Sequence, residues 1–317
     1  MRRWLAGLTG ATTLWLSAAA IALVVALVNP GLPGERQVYD YLFVIDISQS
    51  MLVRDYLDDD GQTVSRLEIA RQAVDDTISQ LPCGSRVGVG LFTGWNTATA
   101  FRPIEVCGHR DELASMVERV DWRMTWVPQS NIARGLFATI DQIHDWPRPP
   151  ALIFLTDGDE MPAVDADGRP DPPASRDRVR GVLVGIGATS PSPVPKFGLN
   201  GDNRGFFTQG GEPLTSRLAA GYLETLAADT GFGYARLNRP EQLAEISADP
   251  AFSRPMASKR GIGWAAALLA LACLVWRYLR PHRHRLARRG AGPVASSGNP
   301  AASRAPRLNP TGTTVRN

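Results

Sequence analysis

The 317 residues carry 34 Lys and Arg against 31 Asp and Glu, a net charge of +3, but the two signs are segregated. Every acidic residue falls between Glu35 and Asp249, whereas the flanks outside residues 29–258 hold 13 of the basic residues and no acid. Residues 29–258 therefore carry ten excess negative charges, which argues against nucleic acid as their partner, and their length suffices for one α/β domain with its own core.

The chain opens with Arg2 and Arg3 and then runs uncharged through residues 5–28, "LAGLTGATTLWLSAAAIALVVALV". That exceeds the roughly 20 residues needed to cross a bilayer. A cleaved signal peptide is the competing reading, but its apolar part covers only about 7–15 residues and ends at small residues, and "ALVNPG" is a poor match. The expectation is an uncleaved transmembrane helix, with residues 1–4 cytoplasmic.

Next comes "YLFVIDISQSM", residues 41–51. Its apolar half suits a buried strand, yet it ends in Asp46, Ser48 and Ser50. The stretch "SRLEIARQAVDDTISQL" places Leu67, Ala70, Val74, Ile78 and Leu81 on one helical stripe, and Ser65 with Glu68 forms a capping box at its start. "SRVGVGLF" and "TATAFRPI" read as a hairpin turning at "TGWN". Cys83 and Cys107 are equidistant from Trp95 in that turn. A symmetric hairpin would set them face to face, so a disulfide is expected, in keeping with an oxidising compartment.

Two amphipathic helices follow, the second with Ile132, Leu136, Ile140 and Ile143 on one face. The strands "ALIFLT" and "VRGVLVGIG", the helix "AGYLETLAADTG" and a short strand at "GYARL" complete the segment. Apolar strands separated by amphipathic helices predict a doubly wound α/β fold, a mostly parallel sheet sandwiched by helices. In such sheets ligands bind at the carboxyl ends of the strands, where both Asp46 and Asp157 emerge.

A second apolar run, residues 261–279, carries no charge before Arg277 and is followed by "RPHRHRLARR". Basic flanks mark the cytoplasmic side, and Trp264 and Trp276 suit the interfaces. The expected organisation is therefore a transmembrane helix over 5–28, a periplasmic domain over 29–258, a second transmembrane helix over 261–279 and a basic cytoplasmic tail over 280–317. From Gly290 onward that tail has a disordered composition.

One carboxylate and two hydroxyls at Asp46, Ser48 and Ser50, with a second carboxylate at Asp157, form an oxygen donor set for a hard divalent cation. Mg²⁺ is the natural choice, with Ca²⁺ or Mn²⁺ as alternatives. Gly158 permits a sharp turn beside Asp157. The acidic loop "DYLDDDGQ" fails the spacing of a calcium-binding EF-hand, because Tyr56 stands where the first ligand belongs; it reads as a solvated loop.

D-x-S-x-S at Asp46, Ser48 and Ser50, with "LTDG" at Asp157, resembles the von Willebrand factor type A (vWA) domain. That resemblance implies a metal-ion-dependent adhesion site and adds Ser130, in "QSNIARGL", where the family normally has threonine. Taken alone, Ser130 also reads as a helix N-cap. The segments "SMLVRD", "SRLEIAR", "VLVGIGA" and "LETLAADTGFGYARL" resemble the membrane-anchored Bat subgroup of bacteria. "LPCGSRVGVGLFTGW", "PIEVC", "DWRMTW" and "PKFG" resemble the MxaL-type proteins of methanol dehydrogenase gene clusters. What the resemblance implies is not an enzyme but a module that binds, through its metal, an acidic residue of a periplasmic partner such as methanol dehydrogenase or its accessory proteins, during assembly or metal insertion. A metal-independent vWA scaffold is the alternative. A haloacid-dehalogenase phosphatase would need a second carboxylate as general acid where Ser48 stands, and a hydroxyl does not serve at neutral pH.

Overall fold

The computed structural model describes residues 11–58, 60–127, 130–160 and 170–289, with only the backbone course given for 11–13 and 280–289. Two compact units result: Gly34–Ser258, and the described parts of Met1–Pro33 with Lys259–Asn317.

In the larger unit, helices α2 (Arg66–Gln80), α3 (Arg110–Glu118), α4 (Ile132–His144), α5 (Ala220–Thr230) and α6 (Gln242–Ser247) surround a seven-stranded sheet. Its strands are β1 (Gly31–Asp46), β2 (Arg86–Thr93), β3 (Asn96–Glu105), β4 (Ala151–Thr156), β5 (Gly181–Ile186), β6 (Gly233–Leu237) and β7 (Ser253–Gly261). Their order is β6-β5-β4-β1-β2-β3, with β7 also paired to β1. All neighbours from β6 to β2 run parallel, and only β3 is antiparallel to β2. The doubly wound α/β architecture read from the sequence is therefore the one observed.

The two-residue period of a strand divides β1 between two cores. Tyr41, Phe43 and Ile45 enter the layer made by α2, α3 and α6, while Leu42 and Val44 enter the layer of α4 and α5. Strand β4 does the same, with Ile153 and Leu155 on one side and Leu152 and Phe154 on the other. Burial on both faces explains why these strands read as unbroken apolar runs.

The α2 stripe behaves as the spacing predicts, except that Leu81 is only partly buried. Its capping box forms: the Ser65 hydroxyl accepts from Glu68 N–H at 3.1 Å, and Glu68 accepts from Ser65 N–H at 2.6 Å. On α4, Gly135 lets Phe92 of β2 come so close that a Cβ would lie 2.1 Å from its ring.

The β2–β3 hairpin is not symmetric. Register shifts flank Val89, so Arg86 faces Glu105 while Thr93 faces Asn96. Cys83 and Cys107 form a disulfide just beyond its open end, with 5.2 Å between Cα atoms, and Glu105 accepts the N–H groups of both Gly84 and Gly108 at 2.7 Å. Between β5 and α5 three short strand pairs and their turns span residues 192–216, most of them exposed.

The smaller unit contains α1 (Ala11–Val28) and α7 (Gly263–Arg289), one in each predicted membrane run. Leu27, Val28, Leu268, Leu269 and Leu279 are all more than half exposed, and Trp15 lies 6.2 Å from Trp276 between ring centres. The expectation of two transmembrane helices requires a correction here: among the described residues no helix is long and apolar enough to cross a membrane. Residues 1–10, which include the start of the first run, and the tail from Gly290 onward lie outside the described residues.

Candidate metal centre

The site is built where β1 and β4 end side by side in the middle of the sheet, the position at which parallel strands leave a crevice. Asp46 is the last residue of β1 and is fully buried. One carboxylate oxygen accepts from Ser48 N–H at 2.8 Å and the other from the Thr156 hydroxyl at 2.6 Å. These bonds turn the chain after β1 so that the Ser48 and Ser50 hydroxyls meet at 3.1 Å.

Asp157 follows β4 and is also fully buried. One oxygen accepts from Asp159 N–H at 3.0 Å, and the other lies 2.7 Å from the Arg66 guanidinium. Gly158, at φ +77°, makes the turn a side chain would strain.

Ser130 sits just before α4 and bridges to Gly94 beyond the end of β2, where Asn131 N–H donates to the Gly94 carbonyl at 2.6 Å. It is not the helix cap, the second reading its position allowed. Asn131 caps α4 by accepting from Arg134 N–H at 2.9 Å, and Glu160 accepts from the N–H groups of Ile132 and Ala133 at 2.8 and 3.2 Å. The Ser130 hydroxyl is buried and makes no hydrogen bond among the described residues. The Thr125 hydroxyl donates to the carbonyl of Ile47, the residue after Asp46, at 2.9 Å.

Electrostatically the site is short of positive charge. Burial, and then the neighbouring Asp157, push the Asp46 carboxyl up to about 7, and the same two causes raise Asp159. A carboxylate so displaced gains from any cation brought beside it. The donors are carboxylate and hydroxyl oxygens, which suit a hard cation, and an unpaired buried hydroxyl at Ser130 is what such an ion would satisfy. The residues present therefore fit a divalent metal.

Sequence reasoning passed over three members of this neighbourhood. Arg66 is wholly buried; read only as part of the α2 pattern, it pairs with Asp157 and Asp55. Asp55 belongs to the acidic stretch read as solvated, but its side chain is only 4% exposed. The clue was available: an arginine in the first turn of a helix opposes the helix dipole. Thr156, donor to Asp46, was likewise seen only as strand.

Residues 41–160 match the family model described as the von Willebrand factor type A domain. Three solved structures align with this chain, and the first two resemble its fold. An aerotolerance-related membrane protein from Bacteroides fragilis NCTC 9343 is 18% identical, with 66% of this chain and 96% of that chain covered and a TM-score of 0.50. BatB from Bacteroides thetaiotaomicron is 20% identical, covering 66% and 94%, with a TM-score of 0.51. An uncharacterised membrane-spanning protein from Vibrio fischeri is 26% identical over 65% and 94%, with a TM-score of 0.29. Comparison with curated proteins returned no match. With its parallel sheet and its D-x-S-x-S turn after the central strand, the segment 41–160 is similar to the von Willebrand factor type A family, and the fold is similar to that of the two Bacteroides structures.

Proposed function

We propose that this protein is a membrane-anchored vWA module that holds a divalent cation, Mg²⁺ in preference to Ca²⁺ or Mn²⁺, at Asp46, Ser48, Ser50, Ser130 and Asp157. The observation that carries this reading is the buried Ser130 hydroxyl, without a hydrogen-bond partner among the described residues, beside a sheet edge with two buried carboxylates. When bound, the ion supplies a Lewis-acidic position open to one further oxygen ligand. Ser48, Ser50 and Ser130 would hold it through their hydroxyl oxygens, and Asp46 and Asp157 would supply the negative charge. The ligand that suits the open position is an acidic side chain of a partner protein in the periplasm, and the role that follows is assembly or metal loading of a periplasmic enzyme. Methanol dehydrogenase, or its accessory proteins, is the partner the sequence resemblance favours.

Binding rather than catalysis is the reading because both oxygens of Asp46 are engaged by Ser48 and Thr156. That disfavours the phosphatase alternative, whose aspartate must be free to attack. Anchoring at the inner membrane, with the vWA domain facing the periplasm, draws support from the exposed apolar side chains of α1 and α7 and from the printed description of the Bacteroides fragilis structure as a membrane protein. A second reading, a metal-independent scaffold, is favoured by one observation: Arg66 already supplies Asp157 with a cation.

Calorimetric titration of Mg²⁺, Ca²⁺ and Mn²⁺ into the full chain in detergent, with Ser48→Ala/Ser50→Ala as control, separates the two. Binding by the parent and not by the variant is the expected result. Equal heats from both would leave the scaffold reading in its place.

A further inference from the structure

The Arg66 guanidinium breaks a local rule. It belongs to the first residue of α2, where the helix dipole favours acidic side chains, and it is fully buried, which is costly for an unpaired charge. Local violations of this kind concentrate at functional sites. Burial works against its charge, yet hydrogen bonding to Asp55 and the field of Asp157 raise it above the ordinary arginine range.

Its donors are shared between two carboxylates. Nε lies 3.2 and 3.0 Å from the two oxygens of Asp55, and Nη2 lies 2.7 Å from one of them. Nη1 donates to Asp157 at 2.7 Å and to the Ser216 hydroxyl at 2.8 Å, and Nη2 reaches the Ser216 carbonyl at 3.3 Å. Gly187 makes room for the group: a Cβ there would lie 2.7 Å from Nε. Asp55 is itself fixed from the far side by Ala188 N–H at 2.8 Å. The guanidinium so enclosed engages one oxygen of Asp157.

Resting on the metal-site reading above, we infer that the Asp55–Arg66 pair sets the cation affinity of the site from outside its coordination shell. Arg66 acts as a resident counter-cation that orients Asp157 and weakens the pull on a second cation, while Asp55 absorbs part of that positive charge. Neither residue is a metal ligand in this scheme; both are positioning residues.

Two variants of the full chain in detergent, titrated with Mg²⁺ and Mn²⁺ by calorimetry, test the inference. Asp55→Asn leaves the whole charge of Arg66 on Asp157. A unit charge acting over several ångströms at an effective dielectric near 20 changes affinity about tenfold or more, so Asp55→Asn binds both ions at least roughly tenfold more weakly. Asp55→Asn/Arg66→Met removes the resident cation together with its Asp55 partner and leaves Asp157 with no counter-charge but the added ion, and binds more tightly than the parent. A purely structural pair would shift melting temperature in EDTA while leaving both affinities within about twofold of the parent, and that result overturns the inference while the metal site stands. If Asp55→Asn does not fold, the double variant alone decides, and binding no tighter than the parent overturns the inference. Absence of ion binding by the parent overturns the metal-site reading and this inference with it.

Discussion

Replacing Ser130 by alanine should change stability in opposite directions with and without metal. In the metal-free protein the Ser130 hydroxyl is buried with no partner among the described residues. Leaving such a group unsatisfied costs about 1–3 kcal/mol, and alanine removes that cost at the expense of a very small void. Ser130→Ala should therefore gain about 1 kcal/mol in EDTA, which for a domain of this size is roughly 2–4 °C in melting temperature. With Mg²⁺ the sign reverses. An ion present at about 100 times its Kd stabilises the parent by about 2.7 kcal/mol, and a variant lacking one of its hydroxyl donors forfeits most of that. Differential scanning calorimetry in EDTA and in a Mg²⁺ series reads both arms. A variant less stable than the parent in EDTA, or stabilised equally by Mg²⁺, would refute the reasoning, since Ser130 would then be part of the ordinary packing.

Three further outcomes follow from the geometry. Cys83→Ser/Cys107→Ser opens a loop of sequence separation 24, and loop-closure entropy puts the loss at about 3.5 kcal/mol; urea unfolding of parent and variant measures it, and a loss below about 1 kcal/mol would mean the paired strands already constrain the unfolded chain. Gly135→Ala gains about 1 kcal/mol in helix propensity but drives a methyl group against Phe92, an overpacking cost of about 1–3 kcal/mol, so the variant should unfold at lower urea than the parent. In the metal-free protein Asp46 holds its proton up to about pH 7 when folded and releases it near 4 when unfolded. Between those values the folded state binds more protons, so stability falls as pH rises; melting in EDTA should be higher at pH 5 than at pH 8, and a flat profile would contradict the buried, uncompensated carboxylate.

The layers of the domain were legible because both signals involved are periodic. Unbroken apolar runs at β1, β4 and β5 mark strands covered on two faces, and the α2 and α4 stripes mark what covers them. Less visible were features that depend on partners distant in sequence. Residues 31–38 carry no apolar pattern, yet they belong to β1, which β7 joins from more than 200 residues away. The bulges around Val89 leave no mark in composition. Asp46, Ser48, Ser50 and Asp157 could be read as one donor set because strand ends converge in any doubly wound sheet. Arg66 could not, since an arginine in an amphipathic helix ordinarily faces water, and only the fold brings it within reach of a residue 91 positions later.

The central place of β1 also has a consequence in time. It is the first strand of the sheet to be synthesised, but one flank is covered by β2, whose paired residues lie about 46 positions later, and the other by β4, about 110 positions later. At about 5–20 residues per second, some 5–20 seconds separate the emergence of Asp46 from that of Asp157. Through that interval the most apolar strand of the domain lacks a neighbour and is a target for chaperones, and no donor set exists. Ion capture would thus report that β1 has both its flanking strands, and a nascent chain stalled before Thr156 would lack the means to engage a partner too early.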